Sequence, residues 1–204
     1  MKKRFLSFLS LAIATAISAS QVPERAENTP RDIVKNLWSI AARGELLNHD
    51  GWKRASGLFT KPVSYPGNDA LLVFSDYYGV NNSAINGTSA VVDIEYADAG
   101  RIDSMLRYSP PAQSGAYKTS FRYRLVFVPR SLITYAGDGK TILKKIEIPE
   151  DKLWQIEGSP GVQDKPWTTV NGAIRYVLEM RNKTADPTIK KNADETITKL
   201  LNLH

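Results

Sequence analysis

From Leu71 onward the period of the sequence changes from helical to two, and that change constrains the fold more than any other feature of the sequence. Upstream, Ile33, Val34, Leu37, Trp38, Ile40 and Ala41 recur at helical spacing until Gly44 interrupts them. Downstream, "LLVFSDYYGV", "SAINGTSAVVDIEYA", "TSFRYRLVFVPR" and "DKLWQIEG" are rich in branched and aromatic residues, and Asn86-Gly87 is a hairpin signal. A further pair of strands, one near 131–135 and one running from Thr141 through "ILKKIEI", is expected to turn at Asp138-Gly139. The helical period then returns, with Val170, Ala173, Ile174 and Val177 on one stripe and Ile189, Ala193, Ile197, Leu200 and Leu201 on another. Two helices, a curved antiparallel sheet and two more helices predict an α+β domain with helices against one sheet face.

Local punctuation supports these elements. "TPRD" supplies Thr29 as a helix cap, Pro30 at the first helical position and Asp32 where a capping box wants an acid. Asp186-Pro187 starts the last helix in the same way. In "NHDGWKRASGLFTKP", His49 stands beside Asp50, and two readings compete. Either Asn48 or Asp50 caps a helix with Trp52, Ala55, Leu58 and Phe59 on its apolar face and Pro62 at its end, leaving His49 in a solvated connection, or the pair forms an acid-base corner. In the strands, Phe121, Tyr123, Leu125 and Phe127 share one face, with Arg122 and Arg124 on the other. Val92, Ile94 and Tyr96 likewise oppose Asp93 and Glu95. If those strands are neighbours, the acids and arginines pair across the sheet, as a solvated charge ladder or as a ligand-binding cluster.

The first residues, "MKKRFLSFLSLAIATAISAS", run from basic to apolar to small, the order of a secretory signal peptide cleaved near Ser20. The expected organisation is a signal over 1–20, a loose polar segment over 21–28 and one domain over 29–204. A periplasmic or secreted location follows, without stable membrane insertion after cleavage. The chain has no cysteine, so neither disulfides nor a lipoprotein anchor is expected. Cleavage lowers the formal charge from +6 to about +3, and the basic residues are dispersed among acids, which argues against nucleic acid as a partner. Two histidines, no zinc-type cluster, no phosphate-cradling glycine loop and no Gly-x-Ser-x-Gly elbow predict no cofactor and no metal. The charged outer face of "DPTIKKNADETITKLL" reads as a helix packed on the domain, its acids balancing its lysines.

Paired N-terminal helices ending in "GWKRASGLFTKP", the antiparallel sheet and the late strand "LWQIEG" resemble the nuclear-transport-factor-2-like superfamily, which includes ketosteroid isomerases and polyketide cyclases. "FSDYYG", "VDIEYADAGRIDSMLRY" and "RNKTADPTIKKNADETI" resemble an exported bacterial branch of it, over roughly 29–203. The resemblance implies a cone-like, strongly bent sheet with the N-terminal helices packed on it and the two C-terminal helices added. Enzymes of the superfamily place an acid, or an acid and a histidine, inside the cone. His49, Asp50, Asp76, Asp93 and Glu95 are eligible here, with Tyr77, Tyr78 and Tyr96 as hydrogen-bond donors, but none falls in a matching catalytic motif. The expected function is therefore a non-enzymatic module that binds a small apolar ligand, a peptide or an envelope protein through a sheet-lined cavity or sheet surface. Tyr77, Tyr78 and Tyr96 are its candidate ligand-binding residues, and self-association through the sheet is also expected. The alternative is a cofactor-independent isomerase, dehydratase or cyclase with Asp76 or His49 as base.

Overall fold

The computed structural model describes residues 29–61, 64–67, 69–111, 118–137, 141–158, 160–162 and 165–203. Helix α1 (Pro30–Ala42) starts as "TPRD" predicts. The Thr29 hydroxyl accepts from the Asp32 amide at 3.2 Å, and the Asp32 carboxylate accepts from the Thr29 amide at 3.3 Å. A 3-10 turn (Glu45–Leu47) leads into α2 (His49–Ser56), capped by Asn48, whose Oδ1 accepts from the Gly51 amide at 2.8 Å. Asp50 occupies the first turn, where a negative charge complements the helix dipole. Helix α2 ends at Ser56, well before the expected stop at Pro62, a residue outside the described set. The reason is tertiary: the Leu58 carbonyl accepts from the Ile156 amide at 2.8 Å, and Phe59 bridges Ile156 in parallel.

Six strands follow: β1 (Ala70–Asn86), β2 (Ser89–Asp103), β3 (Tyr108–Ser109), β4 (Lys118–Tyr135), β5 (Ile142–Ile156) and β6 (Trp167–Thr169). They form a strongly curled, half-barrel sheet in the order β5-β4-β2-β1-β6, with β3 beside β2. Helices α3 (Val170–Lys183) and α4 (Pro187–Leu201) complete the α+β fold. The β1–β2 hairpin turns at the predicted Asn86-Gly87, with Asn86 opposite Ser89 and Gly87 at φ +60°. The turn expected at Asp138-Gly139 lies outside the described residues, but β4 and β5 pair up to Tyr135 and Ile142 beside it. The sheet is mixed rather than antiparallel throughout, because β6 lies parallel to β1.

The helices also cover both sides of one corner of the sheet rather than a single face. Leu72 and Phe74 of β1 pack with α1, while Leu71 and Val73 pack with α3 and α4. This double burial is why "LLVF" is a continuous apolar run instead of an alternating one. Helix α3 begins hard against α1: the Thr168 hydroxyl donates to the Ala41 carbonyl at 2.7 Å. A Cβ at Gly172 would stand 2.4 Å from that same carbonyl oxygen, so nothing larger than glycine fits without a shift.

Glu45 ties α1 to α2. Its carboxylate accepts from Arg43 Nε at 2.7 Å and from Arg54 at 2.8 Å, and these hydrogen bonds, Arg43 first, outweigh partial burial and hold its pKa at about 2 against an ordinary 4.5. A depressed carboxylate pKa contributes stability that is present above 4.5 and is lost as the pH falls toward 2. Denaturation midpoints of the native chain should therefore fall through that window. Glu45→Gln should remove part of that fall, and identical pH profiles would contradict the ion-pair account.

Candidate functional site

The candidate base Asp76 sits on an interruption of β1. Phe74 opposes Asp98 and Tyr78 opposes Tyr96, so Ser75, Asp76 and Tyr77 bulge across from Ala97. The Ser75 hydroxyl accepts from the Ala97 amide at 3.1 Å and so replaces a lost ladder bond. The bulge turns Asp76 toward the start of α3, where its carboxylate accepts from the Thr169 hydroxyl and, at 3.1 and 3.2 Å, from the Asn171 amide. The side chain of Thr169, the residue at the cap position, makes no capping bond of its own. Asp76 is thus a helix cap supplied from a neighbouring strand, with its charge at the positive end of the helix.

The other candidates are dispersed. The His49 ring packs edge-on against Tyr65 with centroids 4.7 Å apart, and its buried Nδ1 has no hydrogen-bond partner among the described residues. The Tyr65 hydroxyl donates to the Leu47 carbonyl at 2.8 Å, which fixes that ring beneath α2. Tyr78 stacks on Trp38 at 4.7 Å and Tyr96 tilts against it at 5.5 Å; burial raises both phenol pKa values, so both remain neutral donors. The Tyr77 side chain lies outside the described set. On the outer face, Arg122 holds Asp93 through bonds of 2.7 and 3.0 Å, one rung of the expected charge ladder. The register places Ser120 opposite Glu95 and Val91 opposite Arg124, and Glu95 accepts from Asn81 instead. Arg122 is 62% exposed, as in a solvated ladder.

Asp76, His49, Tyr78, Tyr96 and the ladder acids Asp93 and Glu95 do not line the groove that the fold does form. Where β5 ends, the Glu157 amide donates to the Arg124 carbonyl at 2.8 Å, and the chain then turns away through Gly158 at φ +103°. An open groove of about 480 Å³ lies between β4 and this departing segment. Leu37, Phe59, Tyr123, Ile156 and Trp167, all buried, supply its floor. Phe121, Arg122, Arg124 and Glu157 stand at its rim, with Pro160, Gly161 and Val162 forming the far wall. That wall is pinned, since Trp167 Nε1 donates to the Pro160 carbonyl at 2.9 Å and Val162 exchanges backbone bonds with Lys165. Burial raises the Tyr123 pKa far above its usual value, so its hydroxyl stays neutral, buried beside the Trp38 indole.

Chemically, the groove offers an apolar floor with Arg122, Arg124 and Glu157 at its rim. Among the described residues there is no group of three or more histidines and acids placed to hold a metal, and no helix is long and apolar enough to cross a membrane. Searches of protein-family models, of curated proteins and of solved structures found no match to this chain. The groove is not legible in the sequence, because its lining depends on where β5 leaves β4. The strand-breaking "GSPG" after "LWQIE" is the signal that marks that departure.

The capping role of Asp76 separates its substitutions. Asp76→Ala should cost about 1–2 kcal/mol in denaturation and speed amide exchange at Asn171, whereas Asp76→Asn, which keeps an acceptor oxygen, should cost less. Native-like stability and exchange in Asp76→Ala would remove the assignment.

Proposed function

We propose that this protein is an exported, non-enzymatic binding module whose groove beside β4 takes an extended apolar ligand, a peptide segment above all. The observation that carries this reading is the meeting of a buried apolar floor with a length of strand edge. The Arg124 carbonyl is turned away from β2 toward Glu157, and by the alternation of the ladder Arg122 presents its own N–H and C=O on the same side, along the groove. An extended segment laid there adds to the sheet through backbone bonds and places every second side chain over Tyr123, Ile156 and Trp167. The leader-like first 20 residues support export. Membership of the nuclear-transport-factor-2-like superfamily belongs to the same proposal and is supported by a curled sheet holding α1 in its hollow.

The rival reading as an isomerase, dehydratase or cyclase has less behind it. Asp76 is engaged in capping α3, and His49, the first residue of α2, packs against Tyr65; neither lines the groove.

The test uses anilinonaphthalene sulfonate as an apolar probe. The native protein should bind it saturably, a leucine-rich peptide should displace it, and Phe121→Glu should weaken binding by roughly tenfold, as loss of about 1.4 kcal/mol of apolar contact implies. Phe121 is 39% exposed, so the variant should fold. Non-saturable binding, or equal binding by Phe121→Glu, would overturn the proposal.

A further inference from the structure

Beyond the helices, β4 and β5 continue together as a two-stranded ribbon, paired from Arg130–Ile148 out to Tyr135–Ile142. A lone two-stranded ribbon is marginal in water, and this one carries exposed Leu132, Leu143 and Ile146. Leu132 stands directly opposite Ile146, so the two share a face. In the sheet order β5 is the outermost strand of its side, so the outer edge of "ILKKIEI", 142–148, is a pairing template. Pro149, Glu150 and Asp151 end that template, because they bulge between Ile148 and Lys152, which lie opposite the adjacent residues Arg130 and Pro129.

We infer that a second copy of this chain pairs with this edge, β5 against β5, antiparallel about a two-fold axis at Ile146. A two-fold relating antiparallel strands in one sheet stands perpendicular to it and keeps each side chain on its own face, so one residue must face its own copy. Within 142–148, the axis positions that pair at least five residues are Lys144, Lys145 and Ile146. The first two set a lysine directly against itself, which is destabilising. An axis at Ile146 brings the two isoleucines together and sets Lys145 opposite Glu147 of the second copy, twice over. Lys144 then faces Ile148. Lys145 and Glu147 already pair within one chain at 3.3 Å, so the joined edge carries four charges of alternating sign. On the other face Leu132, Ile146, Ile146 and Leu132 line up as one apolar strip across four strands. The paired segment is short, so the dimer is weak, with a dissociation constant on the order of micromolar.

This inference is independent of the groove, and Phe121→Glu should leave it untouched. Sedimentation of the whole protein over a concentration series should show a reversible monomer-dimer equilibrium. Lys145→Glu and Glu147→Lys should each weaken it about tenfold, since each sets like charges opposite one another twice. Lys145→Glu combined with Glu147→Lys should restore it. All these positions are exposed, and circular dichroism would confirm that the variants fold. The chain has no cysteine, so Ile146→Cys should give a disulfide-linked dimer under mild oxidation, while Leu178→Cys on α3 should not. A monomer at the highest attainable concentration, a dimer indifferent to charge reversal, or a double variant as weak as the singles would each overturn the inference.

Discussion

The insertion of Trp38 into the hollow of the curled sheet is the contact on which the rest of the structure depends. Its indole stacks on Tyr78 and tilts against Phe74, Tyr96 and Trp167, with ring centroids between 4.7 and 6.3 Å away. Phe74 closes the cluster by meeting both Tyr96 and Trp167. A half-barrel leaves more space on its concave side than aliphatic side chains of one helix fill, and the indole takes it. Burying a side chain of this size contributes about 4–6 kcal/mol before the entropy of ordering is subtracted. The cluster joins α1 to β1, β2 and β6, so it also explains why three residues of β6 hold a parallel position at the sheet margin. Tyr78 and Tyr96, which a ligand-lined cone would have used, are spent on packing.

The groove is a product of the same cluster. Trp167 forms part of its floor and also donates to the Pro160 carbonyl that holds its far wall. Leu37, the neighbour of Trp38 on α1, supplies another part of the floor. Further along β6, Thr168 donates to Ala41 and Thr169 to Asp76, so successive residues of one short strand tie α1, the β1 bulge and α3 together. A three-residue strand is thus the junction between the aromatic core and the C-terminal helices. In the proposed function, binding at the groove would draw on rigidity set elsewhere in the fold, as preorganised sites do.

What was legible in the sequence was mostly local. The Thr29–Asp32 capping box, the Asn48 cap and the Asp186 cap, whose Oδ1 accepts from the Thr188 amide at 2.7 Å, each involve residues within three positions of one another. The choice between Asn48 and Asp50 was open in the sequence and is decided by the extended backbone at Asn48, φ −141° and ψ 162°. Alternation also held where one face is buried: Tyr123 and Leu125 lie inside while Arg122 and Arg124 lie outside. It overstated the ends of the same strand, because Phe121, at the groove rim, and Phe127 stay more than a third exposed. "WTT" is too short to show a period at all. The work of Asp76 was hidden because it depends on a bulge, and a bulge is a matter of register between two strands rather than of either strand alone.

Equilibrium denaturation of Trp38→Ala tests the account most directly. A buried indole at the junction of α1 and four aromatic neighbours predicts a loss of about 3–5 kcal/mol, with the groove lost alongside the core. A loss below about 1 kcal/mol would mean that the hollow of the sheet is not filled by packing around Trp38, and would return the concave face to the list of places where a ligand binds.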